Sequence, residues 1–102
     1  MFINMNFRFK LYRTPEATVL AVCDSELLGR VFREGEVVLN VSRSYYGGEE
    51  ADAGRLRELL AEADIVSLVG EGCISVAVDM GLAEWRFVKR VEGVPHLNVY
   101  RL

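Results

Sequence analysis

Alternating apolar and polar residues mark the first part of the chain. From Met5 to Leu11 every second residue is apolar, and a period of two is typical of a strand with one face in water. The wet face of this strand is predicted to carry Asn6, Arg8, Lys10 and Tyr12. Thr14-Pro15-Glu16 predicts a turn. Ala17–Cys23 is apolar on both faces, which predicts a central strand that pairs back as a hairpin.

The next segments combine short elements with glycine-rich connections. A short helical turn through Leu28 is predicted, capped by Asp24-Ser25 and ended by Gly29. A loop over RVFREG, residues 30–35, then leads to a predicted strand at Glu36–Ser42. The stretch SYYGG, residues 44–48, is predicted to leave that strand through a glycine turn, with one tyrosine packed inward and the other exposed.

Two predicted helices follow. Asp52–Ala63 spaces its leucines at i, i+3 and i+4, which predicts an amphipathic helix capped by its aspartate. Glu71–Met80 is apolar nearly all round, which predicts a deeply buried helix, and Gly81 predicts its end. The remaining apolar segments are predicted strands: Asp64–Val69, Trp85–Val91 and Leu97–Arg101.

The order of these elements predicts the fold class. We expect one domain over residues 1–102, of the α+β (or α/β) class, with a mixed β-sheet of about five or six strands packed with two main helices. A chain of 102 residues buries roughly two-thirds of its unfolded surface, which is enough for a core without disulfides or metals. Residues 1–4 are predicted to be an N-terminal extension, with Met1 and Met5 as the alternative natural starts.

The net charge of −3 hides an uneven distribution. Residues 1–13 and residues 86–101 each carry a net charge of +3, whereas residues 14–85 carry −9. The overall acidity argues against non-specific binding to nucleic acid, which needs a dominant basic surface. No stretch approaches the roughly 20 apolar residues of a membrane helix, and the N-terminal segment lacks the apolar core of a signal peptide. The expectation is a cytoplasmic protein with no membrane partner.

The sequence offers few metal ligands or nucleophiles. Cys23 and Cys73 lie inside apolar runs and are predicted to be buried free thiols. With the lone His96, they do not form the clustered set of ligands that a metal site requires. The prediction is no metal and no cofactor, and no residue is assigned a catalytic role.

Two loops are candidate binding sites. Glycines after a strand let a ligand approach the backbone, and an exposed tyrosine beside an arginine could stack on a base. The first loop, which follows the predicted strand at Glu36–Ser42, contributes Arg43, Tyr45, Tyr46, Gly47 and Gly48. The second loop places Gly70 and Glu71 at a helix start, where free backbone amides favour anions. Glu71 would repel an anion, so ordinary helix capping is the alternative.

The third candidate site is a face of the sheet. It would join Arg8, Lys10 and Tyr12 of the first strand to His96, Asn98 and Tyr100 of the last. If these two faces align in one sheet, their rings and cations form a platform of the kind that binds single-stranded bases and phosphates. The alternative is the ordinary solvated face of an antiparallel sheet.

Six segments in order resemble a small archaeal family known as domain of unknown function 424. They are YRT (12–14), AVCDSELLG (21–29), FREGE (32–36), YYGG (45–48), LVGE (68–71) and GVPH (93–96). The resemblance spans residues 12–102. It implies a cytoplasmic archaeal protein and carries no activity over to this chain.

Three functions are consistent with these patterns. The leading hypothesis is a non-enzymatic module that binds RNA or a ribonucleoprotein through the basic, aromatic sheet face. The second is an enzyme or small-ligand protein with a pocket formed by YYGG, by VGEG (residues 69–72) and by His96. The third is a protein-docking subunit that buries Tyr45 or Trp85 in an interface.

Overall fold

The computed structural model describes residues 6–101, so the predicted N-terminal extension and Met5 lie outside the described residues. The strands are β1 (Phe7–Arg13), β2 (Thr18–Asp24), β3 (Val31–Glu34), β4 (Val37–Asn40), β5 (Glu49–Ala51), β6 (Ile65–Val69), β7 (Lys89–Val91) and β8 (Val94–Tyr100). The helices are α1 (Arg43–Tyr46), α2 (Ala53–Glu62) and α3 (Glu71–Asp79), with 3-10 turns at Ser25–Leu27 and Trp85–Phe87.

Six strands form one mixed sheet in the order β5-β1-β2-β6-β8-β7. The pairing of β2 with β6 is parallel, and the other pairings in this sheet are antiparallel. The strands β3 and β4 form a separate two-stranded sheet. The α+β prediction is confirmed, as is the mixed sheet of about six strands with two main helices.

The main core lies between one face of the six-stranded sheet and the helices α2 and α3. The sheet contributes the alternate residues that the period of two predicts: Phe7, Phe9, Leu20, Val22, Val66 and Leu68. The helix α2 buries Leu56, Leu59 and Leu60 against them, as its spacing predicts. The predicted cap of α2 is also confirmed, because the side chain of Asp52 accepts a hydrogen bond from the backbone N–H of Arg55 at 2.8 Å.

The loop predicted over residues 30–35 is wrong, because most of it is the strand β3. This strand pairs with β4 from Val31 opposite Asn40 to Glu34 opposite Val37, which leaves a two-residue turn. Gly35 adopts a φ of +62° at the first position of that turn, where glycine is the residue that tight hairpins prefer. The charged residues of β3 made this segment look like a loop in the sequence. Its inward side chain, Phe32, is buried.

The glycine turn predicted after β4 is preceded by a short helix, α1. Ser42 caps this helix by accepting a hydrogen bond from the backbone N–H of Tyr45 at 3.3 Å. Gly47 ends it, and a Cβ there would overlap the carbonyl oxygen of Arg43. Tyr45 and Tyr46 therefore lie within one helical turn, and only glycine fits immediately behind them.

The C-terminal hairpin differs from its prediction at two places. Residues 85–87 form a 3-10 turn closed by the hydrogen bond from the N–H of Phe87 to Glu84, so the strand β7 is shorter than predicted. The strand β8 begins before Leu97 and includes Pro95, whose carbonyl accepts a bond from the N–H of Gly70. Glu92 and Gly93 form the two-residue turn with φ values of +51° and +79°, as the twist of a hairpin favours.

Candidate functional site

The register of the sheet brings the two predicted wet faces onto one surface. Across β1, β2, β6 and β8 one row of neighbouring positions is Tyr12, Val19, Ile65 and Tyr100. The next row is Lys10, Ala21, Ser67 and Asn98. The third row is Arg8, Cys23, Val69 and His96, and Lys89 of β7 extends it. Side chains of directly paired residues lie on the same face of a sheet, so all the sheet candidates share this face.

One half of this face is buried, and we call it the covered half: Ala21, Cys23 and Val69. A second apolar cluster covers it, made of Phe32 from β3, Val41 after β4, Tyr46 of α1 and Val91 of β7. The covering hairpin is fastened to the turn after β7, because the backbone N–H of Glu92 donates to the carboxylate of Glu34 at 2.8 Å. This half is a second core and offers no binding surface.

The other half is accessible, and we call it the open half: Tyr12, Val19, Ile65, Ser67, Asn98 and Tyr100. The ring of Tyr45 lies along its border, stacked on Tyr12 with 5.6 Å between ring centroids. Its hydroxyl is 3.2 Å from that of Ser67, and the Tyr12 hydroxyl donates to the carbonyl of Tyr45 at 2.8 Å. Tyr45 is therefore held in place while 38% of it stays exposed.

The cations of this face divide between its halves. Arg8 pairs with Glu50 at 3.5 Å, and its Nε is buried, so this guanidinium belongs to the covered half. Lys10 is exposed, with its Nζ 3.3 Å from the carbonyl of Ser44 and 5.3 Å from the Tyr12 ring. Lys89 is also exposed, beside His96. Partial burial and the charge of Lys89 lower the pKa of His96.

A groove of about 310 Å³ adjoins the open half at the outer edge of β8, and we call it the edge groove. It is lined by Gly81, Leu82, Ala83, Glu84, Phe87, Leu97, Asn98, Val99 and Tyr100. Two of its aromatic residues are strongly exposed: Phe87 at 59% and Tyr100 at 64%. The sequence pattern missed Phe87, because an apolar residue within a predicted strand gives no sign that a 3-10 turn presents its ring to solvent.

The candidate residues of YYGG differ in their exposure to solvent. Tyr46 is only 8% exposed, and burial raises its pKa, whereas Tyr45 is accessible, so the prediction of one inward and one exposed tyrosine is confirmed. Gly47 is buried, and Gly48 is exposed with a φ of +148°. The guanidinium of Arg43 lies against Gly29, where a Cβ would stand 3.2 Å from its Nε.

The predicted anion site at the start of α3 is occupied by a side chain of the same protein, Asp24. The carboxylate of Asp24 accepts hydrogen bonds from the backbone N–H groups of Gly72 and Cys73, each at 2.9 Å. A Cβ on Gly70 would overlap this carboxylate, and its φ is +118°. Burial raises the pKa of Asp24, which these two hydrogen bonds oppose. The predicted capping role of Asp24 is thus corrected, because it caps α3 and not the 3-10 turn that follows it.

The pocket hypothesis placed YYGG, VGEG and His96 around one pocket. In the structure these three elements have different neighbours. Two clefts include His96, and their other lining residues come from the β3–β4 hairpin, from Phe87 and from residues 89–91, 97 and 98. Glu71 forms an ion pair with Arg90 at the first turn of α3. The glycines of VGEG face the side chain of Asp24, as described above.

The two cysteines are buried free thiols, as predicted. Burial raises the pKa of Cys23 to about 12 and that of Cys73 well above its usual value. A thiolate nucleophile is therefore scarce at neutral pH at either position. Among residues 6–101 no group of three or more His, Cys, Asp or Glu side chains could hold a metal ion.

None of the helices in the described part of the chain is long and apolar enough to cross a membrane.

Comparison with known proteins places the chain in a family. The model of a family described as protein of unknown function DUF424 matches residues 12–102. The crystal structure of an uncharacterized conserved protein from Methanopyrus kandleri is similar, with a TM-score of 0.79 and 30% sequence identity over 95% of this chain and 92% of that one. No curated protein matches the chain.

Proposed function

The chain belongs to the DUF424 family, and we propose that it binds single-stranded RNA, or a ribonucleoprotein through its RNA, on the open half of the sheet. The observation that carries the proposal is the register. It sets Tyr12 and Tyr100 at the two ends of one row, with the apolar side chains of Val19 and Ile65 between them. Exposed rings on a sheet are the means by which several RNA-binding folds hold unpaired bases.

The spacing of this row suits successive nucleotides. Tyr12 and Tyr100 lie three strands apart, which is about 14 Å at the usual distance between neighbouring strands. Tyr45 adds a third ring beside Tyr12. Bases stack on such rings without strong sequence preference, because every base has a flat apolar face.

The charge of the face differs from that of the whole chain. Its exposed cations, Lys10 and Lys89, border the open half, while the acidic residue among the sheet positions of this face, Glu50, is paired with Arg8. The helices that bear Glu58 and Asp79 lie on the opposite face of the sheet. A protein of net charge −3 therefore has two exposed lysines at the border of the open half, where we expect the RNA phosphates.

The proposal predicts a modest dependence on salt. Two lysine–phosphate contacts give a slope of about −1.4 for log K against log salt concentration on a single strand. A fluorescently labelled nine-nucleotide uridine oligomer, titrated with protein at two salt concentrations by anisotropy, measures this slope. We expect the double variant Lys10→Ala/Lys89→Ala to lower the slope and weaken binding at low salt.

The aromatic contribution is tested in the same assay. We expect Tyr100→Ala to weaken uridine binding about 5- to 150-fold, the range for loss of one base–aromatic stack. The matched control for charge is Arg55→Ala/Arg57→Ala on α2, which changes the net charge equally on the opposite face. Absence of binding by the wild-type protein at low salt would overturn the proposal and favour a protein-docking role.

A further inference from the structure

We propose that the edge groove binds the base of one nucleotide and that it prefers guanine. This inference rests on the proposed function, because the groove extends the open half. Asn98 and Tyr100 belong to both. A strand of RNA lying over the row from Tyr12 to Tyr100 therefore reaches the groove without changing direction.

The walls of the edge groove suit a flat aromatic ligand. Phe87 and Tyr100 are the two most exposed aromatic side chains of the described residues, and both line this groove. Leu82 and Val99 add apolar side chains to the lining of this groove. Folding leaves these two rings largely in water, and a base stacked on them would remove that apolar area from water.

The exposed edge of β8 provides backbone groups for hydrogen bonding. The strand β7 pairs only with residues 94–96 of β8, so within residues 6–101 the edge of residues 97–100 has no neighbouring strand on that side. Because backbone groups of a strand alternate in direction, and the N–H of Arg101 and the carbonyl of Pro95 point toward β6, those of Asn98 and Tyr100 point outward. The side chain of Asn98 adds an amide donor and acceptor at the same place.

The acidic side chain of the groove gives the preference for guanine. The carboxylate of Glu84 only accepts hydrogen bonds when ionised. Guanine is the base that presents two adjacent donors on its pairing edge, N1–H and the exocyclic amino group, which match the two oxygens of a carboxylate. Adenine, cytosine and uracil each present one donor group on that edge, so a carboxylate discriminates against them.

A neighbouring arginine offsets the repulsion between this carboxylate and the RNA backbone. Arg86 contacts both oxygens of the Glu84 carboxylate, at 3.3 and 3.4 Å, and its guanidinium lies 4.8 Å from the centroid of the Phe87 ring. Both side chains of this pair are more than half exposed, and an exposed ion pair contributes little to stability. The two donors of guanine therefore replace the guanidinium on the carboxylate and free it for the RNA backbone. A phosphate flanking the bound base has this cation as its partner.

The experiment compares nine-nucleotide RNAs that differ only at the central position. Oligomers of uridine with a central G, A, C or U are titrated against the wild-type protein by fluorescence anisotropy at one low salt concentration. We expect the oligomer with central G to bind about 10-fold more tightly than the others, the lower range for a bidentate base contact in a solvated groove. We expect Glu84→Gln to remove this preference and Phe87→Ala to weaken binding of the G oligomer.

The matched control is Trp85→Ala, which removes an exposed aromatic side chain two residues from Phe87 that does not line the edge groove. This variant is expected to keep the preference for G. Circular dichroism melting shows that each variant is folded before its binding is compared. Equal binding of all four oligomers by the wild type, or a preference for G that survives Glu84→Gln, would overturn the guanine groove. Loss of binding to every oligomer would instead overturn the proposed function itself.

Discussion

The two halves of one sheet face show how differently the same strands can be used. In the covered half, Ala21, Cys23 and Val69 lie under a hairpin and the turn α1. In the open half, Val19 lies two residues before Ala21 on β2 and Ile65 lies four residues before Val69 on β6. Both carry comparable apolar side chains and remain accessible. The composition of these positions does not distinguish the halves. The difference lies in where the β3–β4 hairpin ends.

Neighbouring residues that look equivalent in the sequence are separated in the same way. Tyr45 and Tyr46 are adjacent, but only Tyr46 reaches the covering cluster, whereas Tyr45 stacks on Tyr12 at the border of the open half. Arg8 and Lys10 are both cations on one side of β1, but of the two only Arg8 is paired with a carboxylate in the described part of the chain. The covered half serves stability, and the open half is the surface on which we propose that RNA binds.

The largest expected effect in these tests is on the tyrosine pair. Tyr46→Ala removes a buried ring from the covering cluster and should lower the free energy of unfolding by about 3–5 kcal/mol. Tyr45→Ala is the matched control, and we expect it to cost about 1–2 kcal/mol. Its ring is partly exposed, stacks on Tyr12, meets Tyr46 edge-on and has one hydroxyl contact with Ser67. Urea denaturation followed by circular dichroism measures both values. Equal losses would show that the two halves are not energetically distinct.

A smaller effect is expected at the end of β2, where the sheet meets α3. Asp24→Ala leaves the backbone N–H groups of Gly72 and Cys73 without their acceptor inside the protein. The expected loss is about 2–3 kcal/mol, which combines a lost cap with unsatisfied buried donors. Asp52→Ala removes the exposed cap of α2 and should cost about 1 kcal/mol. Thermal melts of the two variants decide the comparison, and an equal cost would mean that burial adds nothing at Asp24.

The smallest expected effect concerns His96, at the boundary between the halves. Its pKa is lowered in the folded state by partial burial and by Lys89. Since the unfolded chain then binds more protons just below the usual value of about 6.5, stability should fall as the pH drops through that value. We expect His96→Gln to flatten the dependence of the urea midpoint on pH between about 6.5 and 5.5. A dependence unchanged by the substitution would assign it to other groups.

Local patterns in the sequence predicted the parts of this fold that depend on local rules. The period of two in β1, the leucine spacing of α2 and the glycine at 81 each correspond to an element or its end. The same periodicity placed Lys10, Tyr12, Asn98 and Tyr100 correctly on wet faces. That these faces coincide follows from the β2–β6 pairing between remote segments, which no local pattern contains.

The features that the sequence did not reveal are those set by distant partners. Phe32 is flanked by charged and exposed residues, so the strand β3 is recognisable only from the cluster that its ring enters. Asp24 precedes a turn that it could cap, but its carboxylate binds amides 48 and 49 residues further along the chain. The ring of Phe87 is presented by a 3-10 turn whose residues have a typical strand composition.

The link between Asp24 and the start of α3 also bears on the order in which the chain can assemble. The cap of α2 is three residues from the amide that it binds, so that helix can close its first turn using its own segment alone. The amides of Gly72 and Cys73 are instead capped by Asp24, which lies in the first quarter of the chain. The first turn of α3 therefore acquires its cap only after the long loop between the two segments has closed, which is the entropically expensive kind of contact. Gly70 lets the carboxylate of Asp24 approach the start of α3. Because this contact forms late, the capped first turn of α3 indicates that folding is complete.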